Sequence, residues 1–315
     1  MRVMVTGGAG FIGSNLVDAL ILEGHHVRVI DNLKTGKLSN LDDARRQGLG
    51  RFEFYNIDVT DDEVSVVIKD FEPDMIYHLA AQADVRVSVK DPIYDAKINI
   101  LGTLNVLNGA VNANVKRIVY AASGGTIYGD VDLKSLPVNE SHLKEPVSPY
   151  GISKAVVLDY LRSFRHTYNI SFVALALANV YGPRQDPYGE AGVIAIFANQ
   201  VLKGEQSTIY GNGDQTRDFV FVDDVVDAFI KAQTKGDNLL INIGTSIETS
   251  VNSLYQVMCE AAGKKQNAVF ESPRPGELLR NSLDITRALI QLGWKPWTSI
   301  EEGIGETLEY MSNKK

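Results

Sequence analysis

Two residues one helical turn apart could together perform proton transfer. Tyr150 and Lys154 stand at positions i and i+4 of a segment with helical periodicity, so both side chains project from one face. A nearby ammonium group favours the phenolate and lowers the pKa of a tyrosine from its usual value of about 10. Such a phenol can act as a general base towards a hydroxyl group. Taken alone, the spacing also arises by chance, as a surface tyrosine beside a solvated lysine.

A glycine-rich run near the start of the chain has the spacing of a dinucleotide-binding turn. Gly7, Gly8, Gly10 and Gly13 follow a short apolar strand and precede a helical segment. Gly8 allows the tight turn, Gly10 lets the backbone approach a pyrophosphate, and Gly13 lets helix and strand pack closely. The N-terminus of the helix would then direct free N–H groups and a positive partial charge at the phosphates. We therefore predict a dinucleotide site here.

The residue that ends the second predicted strand indicates which dinucleotide binds. Asp31 follows the predicted strand Val27-Arg28-Val29-Ile30. Its carboxylate can accept hydrogen bonds from the adenosine ribose and would repel a 2′-phosphate, which favours NAD over NADP. Strand, glycine turn, helix, strand and acid thus occur in the required order. In this context the downstream pair Tyr150 and Lys154 is predicted to be catalytic.

The pattern of predicted elements changes after about residue 178. Before it, strands and helices alternate, which predicts an α/β fold: a Rossmann-type doubly wound parallel sheet with helices on both faces. After it, segments are shorter and richer in glycine and proline. We expect residues 1–178 to form an NAD-binding domain and residues 179–315 a smaller α/β C-terminal substrate lobe, with some crossing of the chain between them. Ligands would lie in the crevice outside the carboxyl ends of the strands.

Composition and charge argue against several classes of partner. The chain has 315 residues and a net charge of −8, with acidic and basic residues interspersed, which disfavours nucleic acid or an anionic membrane. Cys259 is the single cysteine, so an internal disulfide is impossible, and the five histidines show no metal-ligand spacing. We see neither a signal peptide nor an apolar stretch of membrane-spanning length. The expectation is a cytoplasmic protein without a metal.

Six motifs in order point to a known family. They are Gly7-Gly8-Ala9-Gly10-Phe11-Ile12-Gly13, His78-Leu79-Ala80-Ala81, Tyr150-x-x-x-Lys154, Asn179-Val180-Tyr181-Gly182-Pro183, Arg217-Asp218-Phe219-Val220 and Arg274-Pro275-Gly276. Together they resemble the extended short-chain dehydrogenase/reductases that act on nucleotide sugars, and among these the UDP-hexose 4-epimerases. The resemblance runs from residue 1 to about residue 311. It implies an isomerase that interconverts UDP-glucose and UDP-galactose, the epimerisation of galactose metabolism.

The resemblance implies a reversible hydride transfer with bound NAD. Tyr150 would take the proton of the sugar 4-hydroxyl while the 4-hydride passes to the nicotinamide. The resulting 4-keto sugar would turn over in the pocket, and the hydride would return to its opposite face. Lys154 would also hold the nicotinamide ribose. The family pattern places the following residues around NAD: Gly7, Gly10, Phe11, Ile12, Gly13, Asp31, Asn32, Asp58, Val59, Leu79, Ala80 and Asn99.

The chain departs from the family at the hydroxyl group usually found beside the tyrosine. That position falls on Gly124, and either Ser123 or Thr126 could bind the sugar oxygen instead, with Thr126 slightly favoured. In the same segment, related sugar 4,6-dehydratases carry Thr-Asp-Glu and uronate decarboxylases carry Glu. Gly124 and Gly125 bring no carboxylate, so the resemblance implies oxidation and return at C4 rather than elimination of water.

The family also assigns residues to the nucleotide and the sugar. Arg217 and Arg274 correspond to two arginines that bind the diphosphate, although a surface ion pair would explain either one. Glu277 stands where the family usually has Asp for the uridine ribose. Asn281 falls at the position that limits room at the sugar C2 substituent, and we expect it to permit N-acetylated sugars. Further nucleotide contacts are assigned to Asn179, Gly192, Val193 and Ile194.

Three interpretations of the function stay open. The leading one is the UDP-hexose 4-epimerase. A second is an epimerase for a UDP-uronate or a UDP-N-acetylhexosamine, in which Arg86 meets a carboxylate instead of being a solvated helix charge. A third is a non-catalytic NAD-binding regulator, against which the intact Tyr150 and Lys154 argue. The family also implies a homodimer formed through the predicted helices 93–113 and 149–168, although core packing explains the apolar spacing of those helices equally well.

Overall fold

The computed structural model describes residues 1–189, 192–273 and 278–313. Its framework is a seven-stranded sheet, and all pairs of neighbouring strands in it are parallel. In chain order the strands of the described residues are β1 (Arg2–Thr6), β2 (His26–Ile30), β3 (Phe52–Tyr55), β4 (Met75–His78), β5 (Arg117–Ser123), β6 (Ser171–Leu177), β7 (Asn179–Tyr181), β8 (Thr208–Tyr210), β9 (Thr216–Arg217), β10 (Phe219–Phe221), β11 (Leu239–Ile243), β12 (Thr249–Ser250) and β13 (Val269–Glu271).

The helices of the same residues cover the sheet and form most of a smaller lobe. They are α1 (Phe11–Leu22), α2 (Asp42–Gln47), α3 (Glu63–Phe71), α4 (Val85–Lys90), α5 (Pro92–Ala96), α6 (Thr103–Asn112), α7 (Pro149–Tyr168), α8 (Val193–Lys203), α9 (Val222–Lys231), α10 (Val251–Ala261), α11 (Thr286–Leu292) and α12 (Ile300–Asn313). Within the described ranges, none of these helices has both the length and the apolar character needed to cross a bilayer.

The strand order explains why both faces of the sheet are covered. The large sheet runs β11-β6-β5-β4-β1-β2-β3, so the chain moves one way from β1 to β3 and the other way from β4 to β6. Right-handed crossovers then place α1 and the pair α3 and α6 on opposite faces. Val3, Met4 and Val5 of β1 are fully buried as a result, which accounts for their continuous apolar run. The predicted Rossmann-type doubly wound sheet is confirmed.

The order of the strands reverses between β1 and β4, which defines the ligand-binding edge. Parallel pairing puts the last residues of β1, β2 and β4 side by side, with Thr6 beside Ile30 and His78. His78 lies beside Tyr120 of β5, which continues to Ser123. Ligands of open α/β sheets bind outside the carboxyl ends of the strands at this switch point. The loops that follow β1, β2, β4, β5 and β6 therefore converge on one crevice.

The chain beyond residue 179 contributes to both parts of the molecule. Strand β11 pairs with β6 and is the outermost strand of the large sheet, and α9 packs against α1. The smaller lobe contains α8, α10 and α12, which pack on one another, together with the strand pairs β7–β10, β8–β13 and β9–β12. Residues 239–243 thus belong to the large sheet although they follow the predicted boundary at residue 179.

One predicted helix is not uniform. The sequence predicts a single α-helix over residues 93–113, but the structure has α5, then a π-helical segment at Lys97–Gly102, then α6. Two local contacts accompany the change of winding. Gly102 lies so close to Val59 that a Cβ atom there would come within 2.7 Å of Val59 Cγ2. Asn99, inside the segment, bonds to Gln82 of a neighbouring loop. Such π-segments occur frequently at functional sites.

Candidate active site

Two adjoining cavities lie over the carboxyl ends of the strands. The first, called the cofactor cleft, follows the glycine turn after β1 and the loops after β2 and β4. The predicted cofactor residues other than Asn99 line it: Gly7, Gly10, Phe11, Ile12, Gly13, Asp31, Asn32, Asp58, Val59, Leu79, Ala80, Tyr150 and Lys154. Asn99 is buried behind the wall, where its amide pairs with the backbone of Gln82.

The glycine turn leaves no room for side chains. Gly7 has a φ of +71°, and a Cβ atom on it would lie 2.6 Å from Ala80 N. A Cβ atom on Gly13 would lie 2.1 Å from Gly7 O, so this glycine lets α1 pack against the turn, as expected. Gly8 differs from the expectation, since the tight turn is at Gly7 and Gly8 is needed for packing against Val29.

The start of α1 fits a phosphate group. Its N-cap is Gly10, so no side chain of the capping residue occupies the N–H groups of the first turn. The first turn also carries no acidic residue. The N–H groups of that turn and the positive end of the helix dipole therefore face the cofactor cleft. A pyrophosphate supplies the acceptors and the negative charge that this position favours.

The acidic groups at the far end of the cleft fit an adenosine. Asp31 is buried, and its carboxylate accepts hydrogen bonds from Ala9 N at 2.9 Å and Leu33 N at 2.8 Å. Burial raises the pKa of Asp31 in spite of these bonds. Because each carboxylate oxygen has a second lone pair, Asp31 can still accept from ribose hydroxyls. Asn32 Nδ2 donates a hydrogen bond to Asp58 Oδ2 at 2.7 Å. This bond links two of the residues that are predicted to contact the cofactor.

Tyr150 and Lys154 come together at the start of α7. Ser148 caps this helix by accepting a hydrogen bond from Gly151 N at 3.1 Å, and Pro149 occupies the first helical position, as helix starts favour. Lys154 is buried, its Nζ donates to Ala121 O at 2.9 Å, and it lies 5.8 Å from the centre of the Tyr150 ring. The ammonium group is thus held beside the phenol.

A buried histidine next to this pair has a structural role. His78 bonds through Nδ1 to Thr6 Oγ1 at 2.6 Å and through Nε2 to Thr103 Oγ1 at 2.8 Å. Burial, followed by the charge of Lys154, lowers the pKa of His78 to about 3. The ring is therefore neutral at physiological pH and ties β4 to β1 and α6.

The second cavity, called the sugar cavity, shares Tyr150 and Ser123 with the cofactor cleft. Other predicted residues on its wall are Thr126, Asn179, Gly192, Ile194 and Arg217. Val193 begins α8 but is not on this wall. Asn281 is buried, lies off the wall, and its Oδ1 finds no hydrogen-bond partner in the described part of the chain. Arg274 and Glu277 lie outside the described residues.

The structure explains why Gly124 carries no hydroxyl group. Its N–H donates to Leu177 O at 2.8 Å, and a Cβ atom there would lie 2.4 Å from Leu283 Cδ1. A side chain at this position would therefore collide with the segment that covers the end of β5. Ser123 reaches both cavities and Thr126 reaches the sugar cavity. Thr126 Oγ1 is buried and without a partner in the described ranges.

Sequence reasoning missed a residue that lies between the cavities. Gln185 lines both of them, and its Nε2 donates to Val180 O at 3.1 Å. Its position two residues after the Asn179–Pro183 motif was the available signal. Apolar side chains at the sugar cavity, Val85, Val89 and Val147, were also not predicted.

Fold and site together define a class of protein: a Rossmann-type, dinucleotide-dependent enzyme whose tyrosine–lysine pair stands where the cofactor cleft meets a second cavity. The deep burial of Lys154 and the close fit of the glycine turn distinguish this site from a chance grouping of the same residues. The second cavity is lined by both Asn179 and Arg217, groups that can bind an anionic ligand.

Comparison with known proteins narrows the class. The family model described as GDP-mannose 4,6 dehydratase matches residues 4–307. The chain is 44% identical to a UDP-glucose 4-epimerase of Mycolicibacterium smegmatis over 100% of this chain and 99% of that protein. The structure is similar to that of a UDP-glucose 4-epimerase from Thermotoga maritima with UDP-glucose, with a TM-score of 0.95 and 44% identity over 100% of this chain and 99% of that chain. It is also similar to that of a UDP-glucose 4-epimerase from Thermus thermophilus with NAD, with a TM-score of 0.93 and 40% identity over 100% of both chains. The chain therefore belongs to the extended short-chain dehydrogenase/reductase family and, within it, to the group of the UDP-glucose 4-epimerases.

Proposed function

We propose that the protein is an NAD-dependent 4-epimerase that interconverts UDP-glucose and UDP-galactose. The observation that carries the proposal is the position of Tyr150, which lines both cavities with the Lys154 ammonium 5.8 Å from its ring centre. A proton can thus be exchanged with a sugar hydroxyl at the point where cofactor and sugar meet. Relatives at 44% identity named UDP-glucose 4-epimerase support the same reaction.

The residues of the chain divide the work of this reaction. NAD, when bound, supplies the group that takes the 4-hydride from the sugar and gives it back. Tyr150 takes the proton of the 4-hydroxyl and returns it after the ketone has turned over. Lys154 stabilises the phenolate through its charge and holds the nicotinamide ribose. Asp31, Asn32 and the glycine turn bind the rest of the cofactor, with NAD favoured over NADP.

The missing carboxylates favour epimerisation over dehydration. The family model that matches the chain is described as GDP-mannose 4,6 dehydratase. The family resemblance implies that sugar 4,6-dehydratases carry acidic residues in the segment after β5. Gly124 and Gly125 occupy this segment here, and Gly124 has no space for a longer side chain. Loss of water requires an acid and a base at C5 and C6, and this segment supplies neither.

The nucleotide is held mainly by cations and backbone groups of the smaller lobe. We assign the diphosphate to Arg217 and Arg274, since guanidinium groups donate paired hydrogen bonds to phosphate oxygens. Asn179 provides an amide on the wall of the sugar cavity. Glu277 is assigned to the uridine ribose. Gly192, Val193 and Ile194 form the start of α8, which closes over the nucleotide.

The pairing of Arg86 with Asp84 favours a neutral sugar over a uronate as the substrate. Arg86 lines the sugar cavity, but its Nε and Nη2 donate to Asp84 at 3.1 Å and 2.6 Å. This pairing lowers the pKa of Asp84, so its carboxylate stays charged. A uronate would have to compete with Asp84 for the guanidinium group. N-acetylated sugars stay in the proposal on the family resemblance alone, because Asn281, the residue predicted to leave room at C2, is buried off the wall of the sugar cavity.

We further propose a cytoplasmic homodimer. The helical run from α5 through the π-helical segment packs beside α7, and apolar side chains point to solvent on both: Ile93 is 81%, Leu101 55% and Ile152 47% exposed. Such an apolar stripe is unfavourable in water unless a partner covers it. A second copy of the chain offers a complementary stripe, and the pairing would form a four-helix seam.

Product analysis tests the proposed reaction. The purified protein, incubated with UDP-galactose and catalytic NAD, is expected to form UDP-glucose without net accumulation of NADH. Tyr150→Phe should lower turnover by about a hundredfold or more while NAD affinity stays near wild type. Wild-type NAD affinity without turnover on any UDP-sugar would instead support the non-catalytic regulator, and turnover of UDP-glucuronate alone would support the uronate epimerase.

A further inference from the structure

A buried carboxylate lies just behind the two cavities. Asp95, on α5, is 0% exposed. Its Oδ1 accepts hydrogen bonds from Gln82 Nε2 at 2.9 Å and Asn99 Nδ2 at 3.0 Å, and its Oδ2 accepts one from Ser153 Oγ at 2.5 Å. A carboxylate can be kept from water only when such bonds replace its hydration. Asn99 belongs to the same helical run as Asp95, but Gln82 and Ser153 belong to two other segments, so Asp95 joins parts of the chain that are separate in sequence.

The first two donors fix the loop formed by residues 79–84, which we call the cofactor loop. Gln82 N donates to Asn99 Oδ1 at 2.8 Å, and Gln82 O accepts from Asn99 Nδ2 at 2.9 Å. Leu79 and Ala80 of the same loop line the cofactor cleft. Because Asp95 accepts from both Gln82 and Asn99, it orients the amide groups that set the position of this wall.

The third donor belongs to the helix that carries the catalytic pair. Ser153 immediately precedes Lys154 on α7 and is 2% exposed. Lys154 is held from its other end by Ala121 O at 2.9 Å. The backbone of α7 at this point is therefore fixed on one side by β5 and on the other by Asp95.

We propose that Asp95 is a positioning residue, which locks α7 to the cofactor loop so that Tyr150 and Lys154 keep their distance from bound NAD. The inference rests on the proposed function, because it assigns the lock to the proton transfer of that reaction. Small displacements of reacting groups have large effects on rate, whereas binding of a sugar nucleotide by the smaller lobe does not depend on this lock. The expected signature is a fall in kcat with little change in KM.

The mildest test removes one bond and leaves the charge in place. Ser153→Ala retains a good helix former and deletes only the hydroxyl that reaches Asp95. The matched control is Ser88→Ala, since Ser88 is also fully buried in a helix but donates to Val85 O of that helix at 2.7 Å. For each variant we would measure kcat and KM with UDP-galactose, Kd for NAD by calorimetry, and Tm.

The proposal predicts that Ser153→Ala lowers kcat about tenfold, weakens NAD binding a few-fold, and leaves KM within about twofold and Tm close to that of Ser88→Ala. Asp95→Asn should have the larger effect, and the double variant should be no worse than Asp95→Asn alone, because both substitutions break the same lock. Wild-type kcat and NAD affinity in Ser153→Ala would overturn the proposal. So would a loss of activity that follows loss of folded protein, which indicates a purely structural role. Absence of turnover in the wild type, with NAD binding still sensitive to Ser153→Ala, would contradict the proposed function but not the lock.

Discussion

At the scale of single residues, the hydroxyl groups near Tyr150 differ in which cavity they reach. Ser123 lines both the cofactor cleft and the sugar cavity, whereas Thr126 lines the sugar cavity alone. The hydroxyl that supports transfer at C4 has to stand where both ligands meet. This favours Ser123 as the partner of the sugar oxygen and reverses the slight preference for Thr126 that the sequence gives.

The two hydroxyl groups can be separated by substitution. Ser123→Ala is expected to lower kcat by about 10- to 100-fold, the effect of losing one hydrogen bond to a charge-bearing oxygen. Thr126→Val, which keeps the shape of the side chain, should lower kcat by less than about threefold. Initial rates with UDP-galactose measure both. The opposite order would assign the role to Thr126.

The glycine in the family's hydroxyl position gives a prediction of stability. Gly124→Ser would bring a Cβ atom within 2.4 Å of Leu283 Cδ1, so we expect the free energy of unfolding to fall by about 1–3 kcal/mol. Gly125→Ser is the matched control, because its Cβ atom would meet only Asn179 Oδ1, at an ordinary 3.5 Å. Chemical denaturation of the two variants checks the difference. Equal stability of both variants would show that Leu283 and its neighbours move aside at little cost in free energy.

At the scale of secondary-structure elements, His78 links β4, β1 and α6 in its neutral form. Its pKa is about 3 in the folded protein and about 6.5 in an unfolded chain. The unfolded state therefore binds the extra proton first as the pH falls. The stability contributed by neutral His78 is complete above pH 6.5 and is lost progressively from there towards pH 3.

This linkage predicts a measurable slope. Between pH 7 and pH 5, His78 should account for a loss of about 2 kcal/mol in the free energy of unfolding. Urea denaturation of the wild type and of His78→Gln, each at both pH values, separates the contribution of His78 to the pH dependence of the free energy of unfolding from the contribution of the buried carboxylates. The variant is less stable overall but should show the shallower pH dependence. Parallel slopes would mean that folding does not lower the pKa of His78.

Most elements around the cofactor could be predicted because their signals are local. Strands β1, β2 and β4 are short segments rich in Val, Ile and Met that end at the cofactor cleft, and the glycine turn marks the start of α1. The sequence is consistent with Arg86 as a helix charge but predicts no bounds for helix α4, because Val85, Val87 and Val89 alternate with polar residues as in a strand. Its helical form depends on the Asp84 side chain, which accepts from the first-turn N–H groups of Arg86 and Val87.

The unpredicted parts depend on contacts between distant segments. Strand β11 joins the large sheet only by pairing with β6, more than sixty residues earlier, and nothing in residues 239–243 specifies that partner. The same holds for the site. Asp95 is joined to Gln82 and Ser153 only in the fold, and Gln185 reaches the two cavities through the path of its loop.

At the scale of the whole molecule, the exposed apolar stripe predicts the oligomeric state. Leu101→Glu places a charge in the proposed seam and should convert the dimer into a monomer of 34.6 kDa, because an unpaired buried charge is strongly unfavourable. Leu22→Glu, at a side chain that is 72% exposed on α1, is the matched control and should remain dimeric. Light scattering after size-exclusion chromatography distinguishes the two. A wild type that elutes as a monomer would contradict the proposed dimer.

The most direct test of the account follows the hydrogen atom at C4. The proposed reaction moves this hydrogen as a hydride within one active site, and Tyr150 exchanges only the hydroxyl proton. UDP-galactose labelled with deuterium at C4 should therefore yield UDP-glucose that keeps the deuterium at C4, as measured by mass spectrometry and NMR of the product. Loss of the label to solvent water would contradict transfer to the cofactor, and with it the central role assigned to the boundary between the two cavities.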